Sequence, residues 1–162
     1  MVNATRPVLA FRRGSWWRFA AFILLVPGSG FAIGALNAPG AWYAALSKPP
    51  FNPPNWIFAP VWTVLFLMIA VAGFRTFERE PRGTAAKLWA LQLALNYAWS
   101  PIFFSLHRID VALAVIVILL SAILAFVWSQ WRADRAAALL FIPYSAWVGF
   151  ATILNTALFL LN

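Results

Sequence analysis

The sequence predicts an all-α integral membrane protein, a bundle of five transmembrane helices with a proline-rich loop between the first two. Three observations predict it. The 162-residue chain is 64% hydrophobic and only 10% charged, with a mean hydropathy of +0.81, whereas soluble domains are about 45–50% apolar and about 25% charged. It contains five apolar runs, each near the roughly 20 residues that a helix needs to cross the hydrocarbon core. None of the runs shows the roughly ten-residue alternating pattern of a membrane β-barrel. The whole of 1–162 reads as one membrane domain.

The first run, 19–36, carries Pro27 and several glycines. It is too long and too interrupted for a cleavable signal peptide, so it is expected to stay as a span. Gly30 and Gly34 form a GxxxG step that permits close helix approach. The loop 37–56 follows. Its second half, "LSKPPFNPPNW" (46–56), holds four prolines in eleven residues, which fix φ and remove donors, so no α-helix is expected there. The second run, 57–74, places Trp62, Phe66 and Ile69 on one face.

Gly83 and Thr84 precede the third run, 87–106, in which Trp89, Gln92, Asn96 and Trp99 recur at helical steps. Ala94 and Ala98 form a small-xxx-small step there, a place where two helices or two protomers can meet, and Pro101 is expected to bend the helix. Asp110 and Asp134 stand where N-caps of the fourth run, 111–128, and the fifth, 136–161, belong. Tyr144, Trp147, Ala151 and Asn155 share a face of the fifth.

Basic residues are divided unevenly between the gaps. Ten (Arg6, Arg12, Arg13, Arg18, Arg75, Arg79, Arg82, Lys87, Arg132 and Arg135) fall on one side of a five-span topology, and only Lys48 and Arg108 on the other. The positive-inside rule then places the N-terminus in the cytoplasm, and the proline loop and C-terminus outside, in a bacterial inner membrane. The net charge of +8 is accounted for by topology and lipid head groups, without nucleic acid. With no cysteine, one histidine (His107) and four acidic residues, the chain lacks the ligands for a metal cluster and the carboxylate pair of a hydrolase.

Trp16, Trp17, Trp128 and Trp131 lie at span ends, where the membrane interface favours indoles. Trp99 and Trp147 lie well inside their spans and need another reason. An amide in hydrocarbon is costly without a partner, so Gln92, Asn96 and Asn155 must face the bundle interior. They can serve there as interhelical glue or line a ligand cavity; aromatic faces on three helices converging with them favour the cavity.

Three segments, "WYAALSKPPFNPPNWIFAPVWTVLF", "QLALNYAWSPIFF" and "IPYSAWVGFATILN", together resemble the TspO/translocator protein family, also called tryptophan-rich sensory proteins or peripheral benzodiazepine receptors. The resemblance implies a five-helix bundle, often a homodimer, with an internal site capped by the first long loop. It implies porphyrins as ligands (protoporphyrin IX or haem), with no obligatory cofactor. Sterols and synthetic isoquinolines or benzodiazepines are implied as further partners. Light-dependent porphyrin breakdown in some bacterial members depends on two tryptophans, which correspond to Trp62 and Trp147. The implied pocket also includes Tyr43, Phe66, Asn96 and Ala151. One departure stands out. No basic residue follows Tyr144, and none lies within five positions after Tyr97, so the family's cholesterol motif is not formed.

A porphyrin is a flat aromatic disc with two propionates, which calls for stacking surfaces, a dry slot and a cation at the rim. Phe51 and Pro53 of the stiff loop, with Trp56, supply apolar cover, and Lys48 supplies the cation. Trp99, Tyr144 and Asn155 extend the ligand-binding face inward. No general base or nucleophile accompanies them, so the expected role is a tetrapyrrole-binding sensor whose only chemistry is that of the illuminated porphyrin. A transporter of porphyrins or sterol-like lipids is the alternative, although five spans without internal repeats do not divide into equal halves.

Overall fold

Helix α1 (Trp16–Leu36) opens the computed structural model, which describes residues 15–162. Arg6, Arg12 and Arg13, counted above in the basic asymmetry, lie outside the described residues. A short helix α2 (Ala41–Ala45) follows, then the proline segment and a 3-10 turn, Asn55–Ile57. The long helices α3 (Phe58–Arg79), α4 (Thr84–Ser100), α5 (Ile109–Ala133) and α6 (Arg135–Leu161) complete the described chain, which contains no strand. Four helical segments are long and apolar enough to cross a membrane: Trp16–Leu36, Asn55–Arg79, Ile109–Ala133 and Arg135–Leu161. Their exposed apolar residues, such as Leu24 and Leu25 on α1 and Ile153 and Leu160 on α6, would be untenable in water over so wide a surface. The protein is an integral membrane protein.

The third apolar run takes a different form from the one its composition suggests. Regular α-helix ends at Ser100, and a π-helical turn, Pro101–Ser105, replaces the final turn. Pro101 has no N–H to continue the α ladder. The chain widens instead, and Leu106 N–H bonds the Pro101 carbonyl at 2.9 Å. The loop region 37–56 is not wholly irregular either, since α2 occupies its first half.

Helix starts divide the two aspartates. Asp134 is the N-cap of α6, its carboxylate accepting from Ala137 N–H at 3.3 Å. Asp110 is not the cap of α5. Arg108 holds that backbone position, and its guanidinium takes the Asp110 carboxylate in two bonds of 2.6 and 2.8 Å.

Packing runs α1 against α3, α3 against α6, α6 against α5 and α5 against α4, with α4 returning to α1 and α3. Two glycines set the closest approaches. A Cβ on Gly30 would stand 2.4 Å from the Phe66 ring, so the first half of the GxxxG step serves contact within the bundle; Gly34 faces open space. A Cβ on Gly73 would stand 2.4 Å from Trp89, whose N–H reaches the Ile69 carbonyl at 2.9 Å. Trp89 is thus a packing residue between α3 and α4.

Candidate functional site

The seam between α3 and α6 is aromatic from both sides. Phe58, Trp62 and Phe66 recur at four-residue steps on α3, and Tyr144 and Trp147 lie one turn apart on α6. Contacts cross in both directions: the Trp62 ring lies 6.3 Å from Tyr144, and the Trp147 ring lies 5.8 Å from Phe58. Trp62 also leans on Phe66 at 5.1 Å, and Trp147 on Phe150 at 5.8 Å. Phe51 of the proline segment meets Phe150 edge-on at 6.4 Å, so that segment lies against the same end of the seam. Ala151, one turn beyond Trp147, packs half-buried against the core cluster that contains Phe66 and Tyr144.

The polar groups behind this seam are largely committed to one another. Asn96 Nδ2 donates to the Tyr144 hydroxyl at 2.9 Å, and that hydroxyl donates to Gln92 Oε1 at 2.9 Å. Trp99 Nε1 donates to Asn155 Oδ1 at 3.1 Å, and Asn155 Nδ2 donates to the Ile109 carbonyl at 3.2 Å. These bonds tie α4 to α6 and α6 to α5, and they partner interior amides that would otherwise be costly; Gln92 Nε2 alone is buried without a partner among the described residues. The Trp62 and Trp147 indoles differ from those of Trp89 and Trp99. Both are half-buried, and neither N–H is bonded to a described residue.

A concave region lies within the loop. Pro39, Gly40, Tyr43, Lys48, Asn52 and Pro53 are among the residues around a cavity of about 510 Å³, within the range of small-molecule sites. Tyr43 is buried, with its ring edge-on to Phe103 and Phe104 at 6.1 and 5.4 Å and its hydroxyl donating to Asn52 Oδ1 at 3.2 Å. Burial pushes the Tyr43 phenol up from its ordinary value, against the lowering by the Asn52 bond, so it stays a neutral donor. Lys48 Nζ sits 4.8 Å from the Tyr43 ring centroid and donates to the Ala44 and Leu46 carbonyls at 3.0 and 3.1 Å. An ammonium has three donors, which leaves one for a further acceptor. Trp42 anchors α2 by stacking on His107, centroids 4.2 Å apart, at a turn where His107 takes φ 55°. Histidine is among the residue types that adopt this left-handed conformation more readily.

The sequence-predicted residues therefore fall into three groups. Trp62, Phe66, Trp147 and Ala151 share the α3–α6 seam. Tyr43, Lys48 and Pro53 line the loop cavity, with Phe51 bridging toward Phe150. Asn96, Trp99, Tyr144 and Asn155 form the hydrogen-bonded core behind them. Ala94 is exposed and Ala98 half-buried on α4. Among the described residues no three His, Cys, Asp or Glu side chains are grouped as a metal would need.

Residues 21–161 match the TspO/MBR family. The chain belongs to the TspO/MBR family. A tryptophan-rich sensory protein from Cereibacter sphaeroides is 38% identical over 147 residues, covering 91% of this chain and 92% of the relative. A tryptophan-rich protein TspO from Archaeoglobus fulgidus is 37% identical over 151 residues, or 90% and 97% of the two chains. A translocator protein from Bos taurus is 37% identical over 153 residues, or 86% and 87%.

In this TspO/MBR family member, sequence reasoning missed Phe58 and Phe150 as partners of Trp147, and Asn52 as partner of Tyr43. Phe58 carried a usable signal, since it stands one turn before Trp62 on the same face. So did Phe150, one turn after Trp147 on α6; Asn52 carried none, because its bond to Tyr43 depends on how the proline segment folds back on α2.

Proposed function

We propose that this protein is a tetrapyrrole-binding membrane sensor whose site is the α3–α6 seam, with the proline segment as its lid and Lys48 at the rim. The observation that carries the reading is the state of the indoles. Of the tryptophans at Trp62, Trp89, Trp99 and Trp147, the two on the seam keep an uncommitted N–H, while the bundle uses the other two. An indole with a half-buried face and a spare donor suits a flat aromatic ligand with peripheral acceptors. The relatives' names, a sensory protein and a translocator protein, agree with a ligand-responsive role. Light absorbed by a bound porphyrin would supply any breakdown chemistry.

Titrating the purified protein with protoporphyrin IX tests this directly. Part of the tryptophan emission should fall saturably, and the Trp62→Phe/Trp147→Phe double variant should lose most of that quenching. Unsaturable quenching, or equal quenching in the double variant, would sink the reading.

The proposal includes a fifth crossing by α4. Its 17 residues span about 26 Å, and the π turn at Pro101–Ser105 extends it toward the roughly 30 Å of a hydrocarbon core. Five crossings with the basic end cytoplasmic put the N-terminus inside and the C-terminus outside a bacterial inner membrane. A reporter fused after Asn162 should then appear on the side opposite one fused at the N-terminus; both on one side would contradict it.

The small-residue step on α4 is proposed as a homodimer contact. Replacing Ala94 and Ala98 with leucine should convert dimer to monomer in detergent, read by light scattering, with helical content unchanged. A persistent dimer would move the interface off α4.

A further inference from the structure

We infer that the corner where α5 turns into α6 is a binding site for a single anionic phospholipid, holding its phosphodiester between Arg132 and Arg135. The turn is one residue long, and that residue is Asp134. Its carboxylate is taken on both oxygens by Arg75, at 2.7 and 3.1 Å, and is buried with a side-chain exposure of 3%. The corner's acid is thus neutralised from inside. Arg132 and Arg135, exposed on either side of it, have no acidic partner among the described residues.

Charge alone would make this a topology signal. Two further features give it the shape of a lipid site. The first is the ladder beneath the arginines. Val117, Ser121, Leu124, Trp128 and Arg132 recur at steps of four, three, four and four, hence on one face of α5, and all five are exposed. Apolar side chains therefore lead up to an indole that is 86% exposed, and the guanidinium stands one turn above it. This order matches a phospholipid read from acyl chain through ester to phosphate, because indoles prefer the ester depth and arginines the phosphate depth.

The second feature is preorganisation. The Arg135 guanidinium lies 5.4 Å from the Trp131 ring centroid, a cation–π contact that limits its freedom before any ligand arrives. Paired guanidinium forks match phosphate oxygens in a way that ammonium groups do not. Elsewhere at the same end, Arg18 is spent on Glu78 at 3.0 Å, Arg79 at the end of α3 has no indole one turn before it, and Arg82 lies in the turn between α3 and α4.

Native mass spectrometry of the full chain in detergent, titrated with dioleoyl phosphatidylglycerol or dioleoyl phosphatidylcholine, tests the site. The wild type should retain phosphatidylglycerol on the order of tenfold better than phosphatidylcholine. Arg132→Gln/Arg135→Gln should abolish that preference, while Arg79→Gln/Arg82→Gln, which removes the same charge nearby, should keep it. Trp128→Ala leaves every charge in place and should still lower retention about threefold. Equal losses in the two arginine pairs would show a diffuse field effect and overturn the proposal. So would unchanged retention in Trp128→Ala, or displacement of phosphatidylglycerol by inorganic phosphate at equal concentration. Loss of a dimer in the Arg132→Gln/Arg135→Gln pair would make the corner a protein contact and overturn it too.

Discussion

Replacing Arg75 with methionine should destabilise the fold by about 3–5 kcal/mol, because it strands a buried carboxylate. Asp134 lies at the start of α6 with 3% side-chain exposure, and a short aspartate stem cannot carry its charge to water. The group would have to bind a proton or stay charged and unpaired, and both lose the bidentate bonds at 2.7 and 3.1 Å. The complementary change, Asp134→Ala, should cost less even though it also removes the cap on Ala137 N–H. The stranded Arg75 has a long stem and 11% exposure, so it can extend toward the head groups. The lost cap adds only about 1 kcal/mol. Thermal unfolding in detergent should therefore place Arg75→Met below Asp134→Ala, with the double variant well short of the sum. Additive losses, or Asp134→Ala as the less stable variant, would show that the two groups are not one buried unit.

That pair also marks where sequence reasoning reaches its limit. The cap at Asp134 was legible, because a cap is local and an aspartate just before an apolar run is a common N-cap. Its partner sits 59 residues earlier, and Arg75 in the sequence is one of several arginines in a polar gap. Asp110 misled for a local reason, since Arg108 two residues before it competes for the carboxylate. The apolar runs announced the long helices, but the π turn did not show in composition. Only Pro101 hinted at it, by lacking the donor that a regular last turn requires. Gly30 and Gly34 looked equivalent as a GxxxG step, and only the position of Phe66 separates them.

The candidate site was legible to the extent that it is periodic. Trp62 and Phe66 on α3, and Tyr144 and Trp147 on α6, each share a face by spacing. What spacing cannot give is which faces meet. The crossed contacts Trp62–Tyr144 and Trp147–Phe58 define the seam, and they depend on α3 packing beside α6. The same packing decides the fate of the interior amides. Read alone, Asn96 and Asn155 suited a ligand as well as a neighbouring helix, and the fold ties both into bonds between helices.

Replacing Trp62 or Trp147 with phenylalanine should lower the rate at which bound protoporphyrin IX bleaches in light by at least about tenfold, while weakening its binding by only about 1–2 kcal/mol. The difference follows from what each variant keeps. Phenylalanine preserves an aromatic filler against Phe66 and Tyr144 in one case and against Phe58 and Phe150 in the other, so stacking is reduced rather than lost. It removes the electron-rich indole and its uncommitted N–H, which are what the illuminated porphyrin would meet. Helical content should not change, because neither indole N–H supports the bundle as those of Trp89 and Trp99 do. Trp99→Phe is the internal control: it strands Asn155 Oδ1 and should cost stability while bleaching of whatever porphyrin still binds proceeds at the wild-type rate. Ala151→Leu should show the reverse balance, with the larger loss in binding, because it fills space one turn from Trp147 while leaving both indoles in place. Bleaching that slows in Trp99→Phe as much as in Trp62→Phe, or that survives the Trp62→Phe/Trp147→Phe double variant, would place the photochemistry away from the α3–α6 seam.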